Sequence, residues 1–128
     1  MKGDRGERKL VNKVEDDLGF YAQRTGASGG ATSRNRPDVI MCKSGCLYFV
    51  ELKTTDLPVR FKRQEVEDLI EAAERAGAIP VCMVWPDMRK HDQVHGFLPS
   101  ELKENKKSFS TAGCEPGHSL SDLFGRDV

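Results

Sequence analysis

Residues 37–53, PDVIMCKSGCLYFVELK, decide how this chain is built and where its chemistry sits. Asp38 opens one β-rich run over residues 38–42. A second run over residues 46–53 ends on Glu51-Leu52-Lys53. Lys43-Ser44-Gly45 lies between them, which predicts a hairpin with a three-residue turn and Gly45 in the left-handed position. Alternate residues of a strand share a face, so Glu51 and Lys53 point the same way. Antiparallel pairing puts the start of the first run beside the end of the second. Asp38, Glu51 and Lys53 are therefore expected to converge at one end of a sheet. Cys42 and Cys46 flank the turn and are expected to face each other across it, as a cross-strand disulfide or as reduced core thiols.

Two carboxylates and a lysine on a short rigid hairpin suit phosphodiester hydrolysis. Hard oxygen ligands match Mg²⁺, which takes few carboxylates and keeps several waters. Such a cation activates water and offsets charge on phosphate oxygens. A neighbouring lysine orients the attacking water or stabilises the developing charge. Glu-x-Lys alone is an ordinary exposed strand end. Asp38 at a hairpin-compatible distance, after a basic Gly-rich segment, separates this chain from that case.

Outward from the hairpin, residues 4–18 predict an amphipathic helix with Leu10, Val11, Val14 and Leu18 on one face. Asp4 and Glu7 have capping-box spacing, and Gly19 suits the stop. Residues 20–24 predict a short strand, and residues 25–36 a Gly-, Ser- and Arg-containing loop long enough to suggest function. A second loop is expected over 54–63. Residues 64–76 predict a helix with Val66, Leu69, Ile70 and Ala73 inward and Gly77 at its C-cap. Residues 80–85 predict a buried strand, making a helical crossover between two strands. Further on, a strand is expected over 93–98, a short helix over 100–105, a loop over 106–118 and a helical turn over 120–124. No internal repeat or low-complexity tract interrupts the chain. The expectation is one α/β domain over residues 1–128, with a central mixed sheet flanked by helices.

Bulk properties narrow the function classes. The 128 residues are 38% apolar and 31% charged, enough for one core under a solvated surface. No apolar run approaches the ~20 residues of a membrane span. The N-terminus lacks the apolar middle of a secretory signal, so a cytoplasmic protein without membrane association is expected. Net charge is zero, but residues 1–63 hold 13 Lys and Arg against 8 Asp and Glu, whereas residues 64–128 hold 7 against 12. That asymmetry is compatible with one basic face. Cys42, Cys46, Cys82 and Cys114 have irregular spacings, which argues against zinc. His91, His95 and His118 read as surface or loop residues. Trp85, Phe97, Leu98 and Phe124 read singly as core-filling residues, and they are also where apolar surface for self-association would remain.

Pro37-Asp38…Glu51-Leu52-Lys53 resembles the PD-(D/E)-x-K motif of restriction-endonuclease-like folds. The surroundings are similar to the archaeal Holliday junction resolvases: Lys2-Gly3…Glu7-Arg8 opening a helix, Ala27-Ser28-Gly29 in the loop, Arg36-Pro37-Asp38, and Arg63-Gln64 before an apolar helix. The likeness runs over about residues 2–85, and Leu120-Ser121-Asp122-Leu123 resembles that family's C-terminal turn. The resemblance implies a homodimer that cuts two opposed strands of a four-way DNA junction with Mg²⁺ or Mn²⁺, and no nucleotide cofactor. It implies Glu7, Asp38 and Glu51 as metal-site acids and Lys53 as catalytic. Ser28 would be the loop serine of cleavage, and Gln64 the glutamine that supports the site. Arg8, Arg24, Arg34 and Arg36 would contact phosphates. Glu7 has a second reading as a helix cap, Gln64 as an ordinary first-turn residue, and Ser28 as a loop residue. The chain departs from the family in being neutral overall, where those resolvases are usually basic. The alternatives are a nuclease of the same fold acting on flaps or linear duplex, and a DNA-binding module without catalysis.

Overall fold

The computed structural model describes residues 2–25, 36–90, 93–114 and 116–124. Helix α1 spans Lys2–Leu18, and strand β1 Tyr21–Arg24. The hairpin follows as β2 (Val39–Lys43) and β3 (Cys46–Lys53). Strand β4 (Arg60–Lys62) leads directly into helix α2 (Arg63–Ala76), then β5 (Ile79–Val84) and β6 (His95–Phe97). A 3₁₀ turn over Pro99–Glu101 precedes β7 (Lys103–Glu104) and β8 (Ser108–Ser110), and α3 (Leu120–Phe124) closes the described chain. The main sheet has the order β1-β2-β3-β5-β6, and a smaller one the order β4-β8-β7. β3 and β5 are parallel and joined through α2, whereas the other neighbours in the main sheet are antiparallel. This is the mixed sheet flanked by helices that the hairpin and the crossover pattern predict.

Strand alternation divides the main sheet into two cores. Val39, Met41, Tyr48, Val50, Val81 and Met83 face α1, where Leu10 and Val14 complete a buried cluster with Trp85. Cys82 and Val84 face the other way, against Val66 and Leu69 of α2 and Phe61 and Phe109 of the small sheet. Phe61 and Phe109 are cross-strand partners, so the small sheet shuts the far edge of the second core. Gly77 ends α2 in the left-handed conformation, and its N–H and that of Ala78 cap the last carbonyls.

Several expectations change. The hairpin turn has two residues, because Lys43 pairs with Cys46 and both Ser44 and Gly45 have positive φ. Cys42 is therefore opposite Leu47, and Cys46 packs with the α1-side core. Cys42 and Cys46 point to opposite faces, which rules out a disulfide between them. The predicted 54–63 loop contains β4, and the predicted 106–118 loop contains β8. Residues 100–105 form the end of a 3₁₀ turn and a strand in place of a helix. Strands of two or three residues are too short to show a period, and each is held by its partners. Trp85 and Phe97 are fully enclosed in the two cores, and Leu98 packs partly against one, so Trp85 and Phe97 offer no exposed dimer surface. The side chain of Phe124 lies outside the described residues. Among the described residues no helix is long and apolar enough to cross a membrane.

Leu10 is fully buried between α1 and the sheet. Leu10→Ala is expected to cost about 2–5 kcal/mol through lost burial and a residual cavity. Urea unfolding followed by circular dichroism measures this.

Candidate active site

The end of the hairpin gathers the predicted trio. Asp38 stands one residue before β2. Its N–H donates to the Val50 carbonyl at 2.8 Å, and its Oδ2 accepts the Leu52 N–H at 2.8 Å. That second bond ties the Asp38 carboxylate to the backbone between Glu51 and Lys53. Glu51 and Lys53 project to the α2 side of the sheet, where their β5 partners are Cys82 and Val84. The Lys53 Nζ lies 3.3 Å from Glu65 Oε2 and 6.0 Å from the centre of the Phe61 ring.

Electrostatics mark the site as a place for a cation. Burial is the main cause that pushes the Glu51 carboxyl up to about 8, and the neighbouring Asp38, Glu65 and Glu7 carboxylates add to it against Lys53. Burial likewise raises Asp38 above its ordinary value, while the Leu52 N–H and Lys53 oppose the shift. Cys82, buried beneath the same acids, is pushed up to about 12 by desolvation and stays a thiol. Desolvated carboxylates that repel one another bind a proton or a metal ion in preference to standing charged and alone.

Glu7 reaches this neighbourhood from a separate element. Gly6 makes the approach possible: a Cβ there would sit 2.6 Å from Thr54 Cγ2, the residue after Lys53. Helix α1 begins before Asp4, so Glu7 lies inside the helix and does not close a capping box with Asp4. Its carboxylate receives Arg24 Nε at 3.3 Å. Among the described residues no three His, Cys, Asp or Glu side chains converge tightly enough to hold a metal ion together. Of the three expected acids, Asp38 and Glu51 stand together, and Glu7, paired with Arg24, is near enough to raise the Glu51 carboxyl. Two carboxylates still fit Mg²⁺, which is bound through one or two of them plus water and substrate phosphate.

The remaining predicted residues fall into three groups. Arg8 and Arg36 are exposed, and Arg24 is half-buried at Glu7. Ser28, Arg34 and His91 lie outside the described residues. The segment carrying Ser28 and Arg34 nevertheless leaves and rejoins the fold beside the site: Thr25 Oγ1 donates to the Pro37 carbonyl at 2.7 Å, and Thr25 N–H to that of Asp38 at 3.3 Å. Gln64 is exposed and donates to Asp68 one turn further along α2 at 2.9 Å. Its neighbour Glu65 occupies the place beside Lys53, because each helical residue turns the side chain by a further ~100°. Glu65 was missed by sequence reasoning. Its signal is Glu at the third position of a helix that starts at Arg63: Glu65 Oε1 accepts the Lys62 N–H at 3.0 Å, the returning half of a capping box.

Comparison with known proteins gives the family and supports the fold. Two curated relatives are named crossover junction endodeoxyribonuclease Hjc. The one from Sulfolobus acidocaldarius is 33% identical over 78 residues, and the one from Sulfurisphaera tokodaii 31% identical over 78 residues. Each alignment covers 59% of this chain and 54% of the relative, so the chain spans about half the length of the curated relatives it matches. The solved structure of Archaeoglobus fulgidus Hjc superposes with a TM-score of 0.71 over 84% of this chain and 85% of that one. At 24% identity this likeness speaks for the fold. The sequence model of the archaeal Holliday junction resolvases (Hjc) matches residues 1–127, and the chain belongs to that family.

Proposed function

We propose that this protein is a structure-specific endodeoxyribonuclease that resolves four-way DNA junctions, acting as a homodimer with Mg²⁺, for which Mn²⁺ substitutes. The observation that carries the reading is the Asp38 carboxylate tied by Leu52 N–H between Glu51 and Lys53. Family membership supports the junction as substrate. Asp38 and Glu51 are the residues that would hold the cation. When bound, it supplies a Lewis acid for phosphate oxygens and acidifies a water.

The chain's own groups do the rest. Lys53 donates protons toward the attacked phosphate and its developing charge. Glu65 is a positioning residue: its carboxylate fixes the Lys53 ammonium at 3.3 Å. Arg24 neutralises Glu7 at the entrance, and Arg8, Arg34 and Arg36 contact the DNA backbone. Ser28 shapes the approach of the scissile strand. Two copies supply the two sites that paired cuts require.

Four outcomes are expected. A synthetic four-way junction with Mg²⁺ is nicked symmetrically. EDTA or Asp38→Asn lowers the rate by at least about a thousandfold, as loss of a principal electrostatic group does. Binding without any cleavage in Mg²⁺ or Mn²⁺ would overturn the enzyme reading, and equal cleavage of linear duplex would overturn the junction reading. Glu65→Gln lowers the cleavage rate about tenfold with little change in DNA affinity, the usual scale for loss of an orienting partner.

The third outcome concerns pH. Glu51 is raised from its ordinary 4.5 to about 8, so the stability this gives the metal-free protein is complete below 4.5 and is lost as pH rises through about 8. Thermal melting in EDTA should therefore fall over that window, and Glu51→Gln should flatten the fall. Because the cation needs the ionised carboxylate, Mg²⁺ affinity rises over the same window, up to about tenfold per pH unit. Calorimetric titration at several pH values reads it. Fourth, sedimentation at micromolar concentration gives twice the 14.3 kDa chain mass.

A further inference from the structure

The small sheet carries basic side chains that the site does not use. In the β4-β8-β7 register, Arg60, Ser110 and Lys103 lie abreast, and Lys62 pairs with Ser108 in the adjoining row. Phe61 and Phe109 point the other way, into the core, as strand alternation requires. Lys106 and Lys107 sit in the turn between β7 and β8. All five basic residues are exposed, and among the described residues none of them forms an ion pair. The acid of β7, Glu104, pairs with Phe109 and so belongs to the opposite face, where Arg63 Nη1 holds it at 2.8 Å. The outer face of this sheet thus displays Arg and Lys without an opposing carboxylate on its strands, and Ser110 between Arg60 and Lys103 is buried.

The hairpin bearing the lysines is braced. Arg63 Nε donates to the Lys106 carbonyl at 2.9 Å, Nη2 to that of Asn105, and the Arg63 N–H to that of Lys107 at 3.0 Å. The guanidinium also stands 5.2 Å from the Phe109 ring centre. Cations fixed on a rigid frame lose less conformational freedom on meeting a partner. The frame adjoins the candidate site: Phe61, between Arg60 and Lys62, lies beneath the Lys53 ammonium on the inner side. Two strand spacings from Arg60 to Lys103 make the face about 10 Å wide, a width that meets several phosphates of a duplex.

We propose that the outer face of the β4-β8-β7 sheet grips the phosphate backbone of a DNA duplex arm beside the scissile strand, through Arg60, Lys62, Lys103, Lys106 and Lys107. The proposal rests on the reading of the chain as a DNA endonuclease. It also explains how a neutral chain handles a polyanion. Three of the five cations come from the acidic second half of the sequence, and the fold brings them to the two from the basic half.

The test is DNA binding in EDTA at a series of salt concentrations, with a four-way junction and with a linear duplex. Two double variants, Arg60→Gln/Lys62→Gln and Lys106→Gln/Lys107→Gln, are compared with Lys106→Arg/Lys107→Arg, which keeps the charge. Each neutralised phosphate contributes about 0.9 to the slope of log affinity against log salt. Each Gln pair should lower that slope by about 2 and weaken binding at low salt about tenfold, while the Arg pair retains both. Melting temperatures within a degree or two of the parent show that the folds are intact. Parent slope and affinity in both Gln variants, on both DNAs, would overturn the proposal. Junction cleavage by the parent protein tests the endonuclease reading separately. A parent that binds linear duplex through these residues, yet cuts no junction, would overturn that reading and leave the patch standing.

Discussion

The Ser44-Gly45 turn sets a register on which the rest of the site depends. Because Lys43 meets Cys46, Asp38 falls level with the end of β3, and its carboxylate captures the Leu52 N–H. A slip of one residue would exchange the two faces of β3. Val50 and Leu52 would then leave the α1 core, and Glu51 and Lys53 would enter it. Hydrophobic burial on the α1 side thereby enforces the position of Glu51 and Lys53 on the other. The same register separates Cys42 from Cys46, so the hairpin is held by packing and backbone hydrogen bonds with no covalent brace.

The electrostatic design follows from where that register deposits charge. Asp38 and Glu51 are partly buried against the sheet, burial raises both carboxyls, and Asp38 and Glu65 raise Glu51 further. Lys53 offsets part of this shift and is itself fixed by Glu65. A metal-free site of this kind is a local weakness in the fold, relieved by a proton at low pH and by a divalent cation at higher pH.

Three separate elements converge on the hairpin: α1 through the close approach of Gly6 to Thr54, α2 through Glu65, and the small sheet through Phe61. Arg63 joins the last two, since it begins α2 while its side chain and backbone hold the β7–β8 turn. The frame around the acids is therefore built from long-range contacts, and the neutral overall charge conceals a cluster of exposed basic residues on the small sheet.

The sequence by itself determined the hairpin, both long helices and the crossover, because each shows a clear period and a stop signal. It also determined Asp38, Glu51 and Lys53 as neighbours, because one tight turn and strand alternation are local geometry. Tertiary structure alone decided the rest. Glu65 stands beside Lys53, and Gln64 beside Asp68, because the angular phase of α2 depends on where the helix starts. Glu7 meets Arg24 because α1 lies across the sheet. Strands β4, β7 and β8 exist only as one another's partners, since two or three residues carry no period of their own. The grouping of Arg60 and Lys62 with Lys103, Lys106 and Lys107 is likewise invisible along the chain: it arises when hydrogen bonds between strands join segments about forty residues apart.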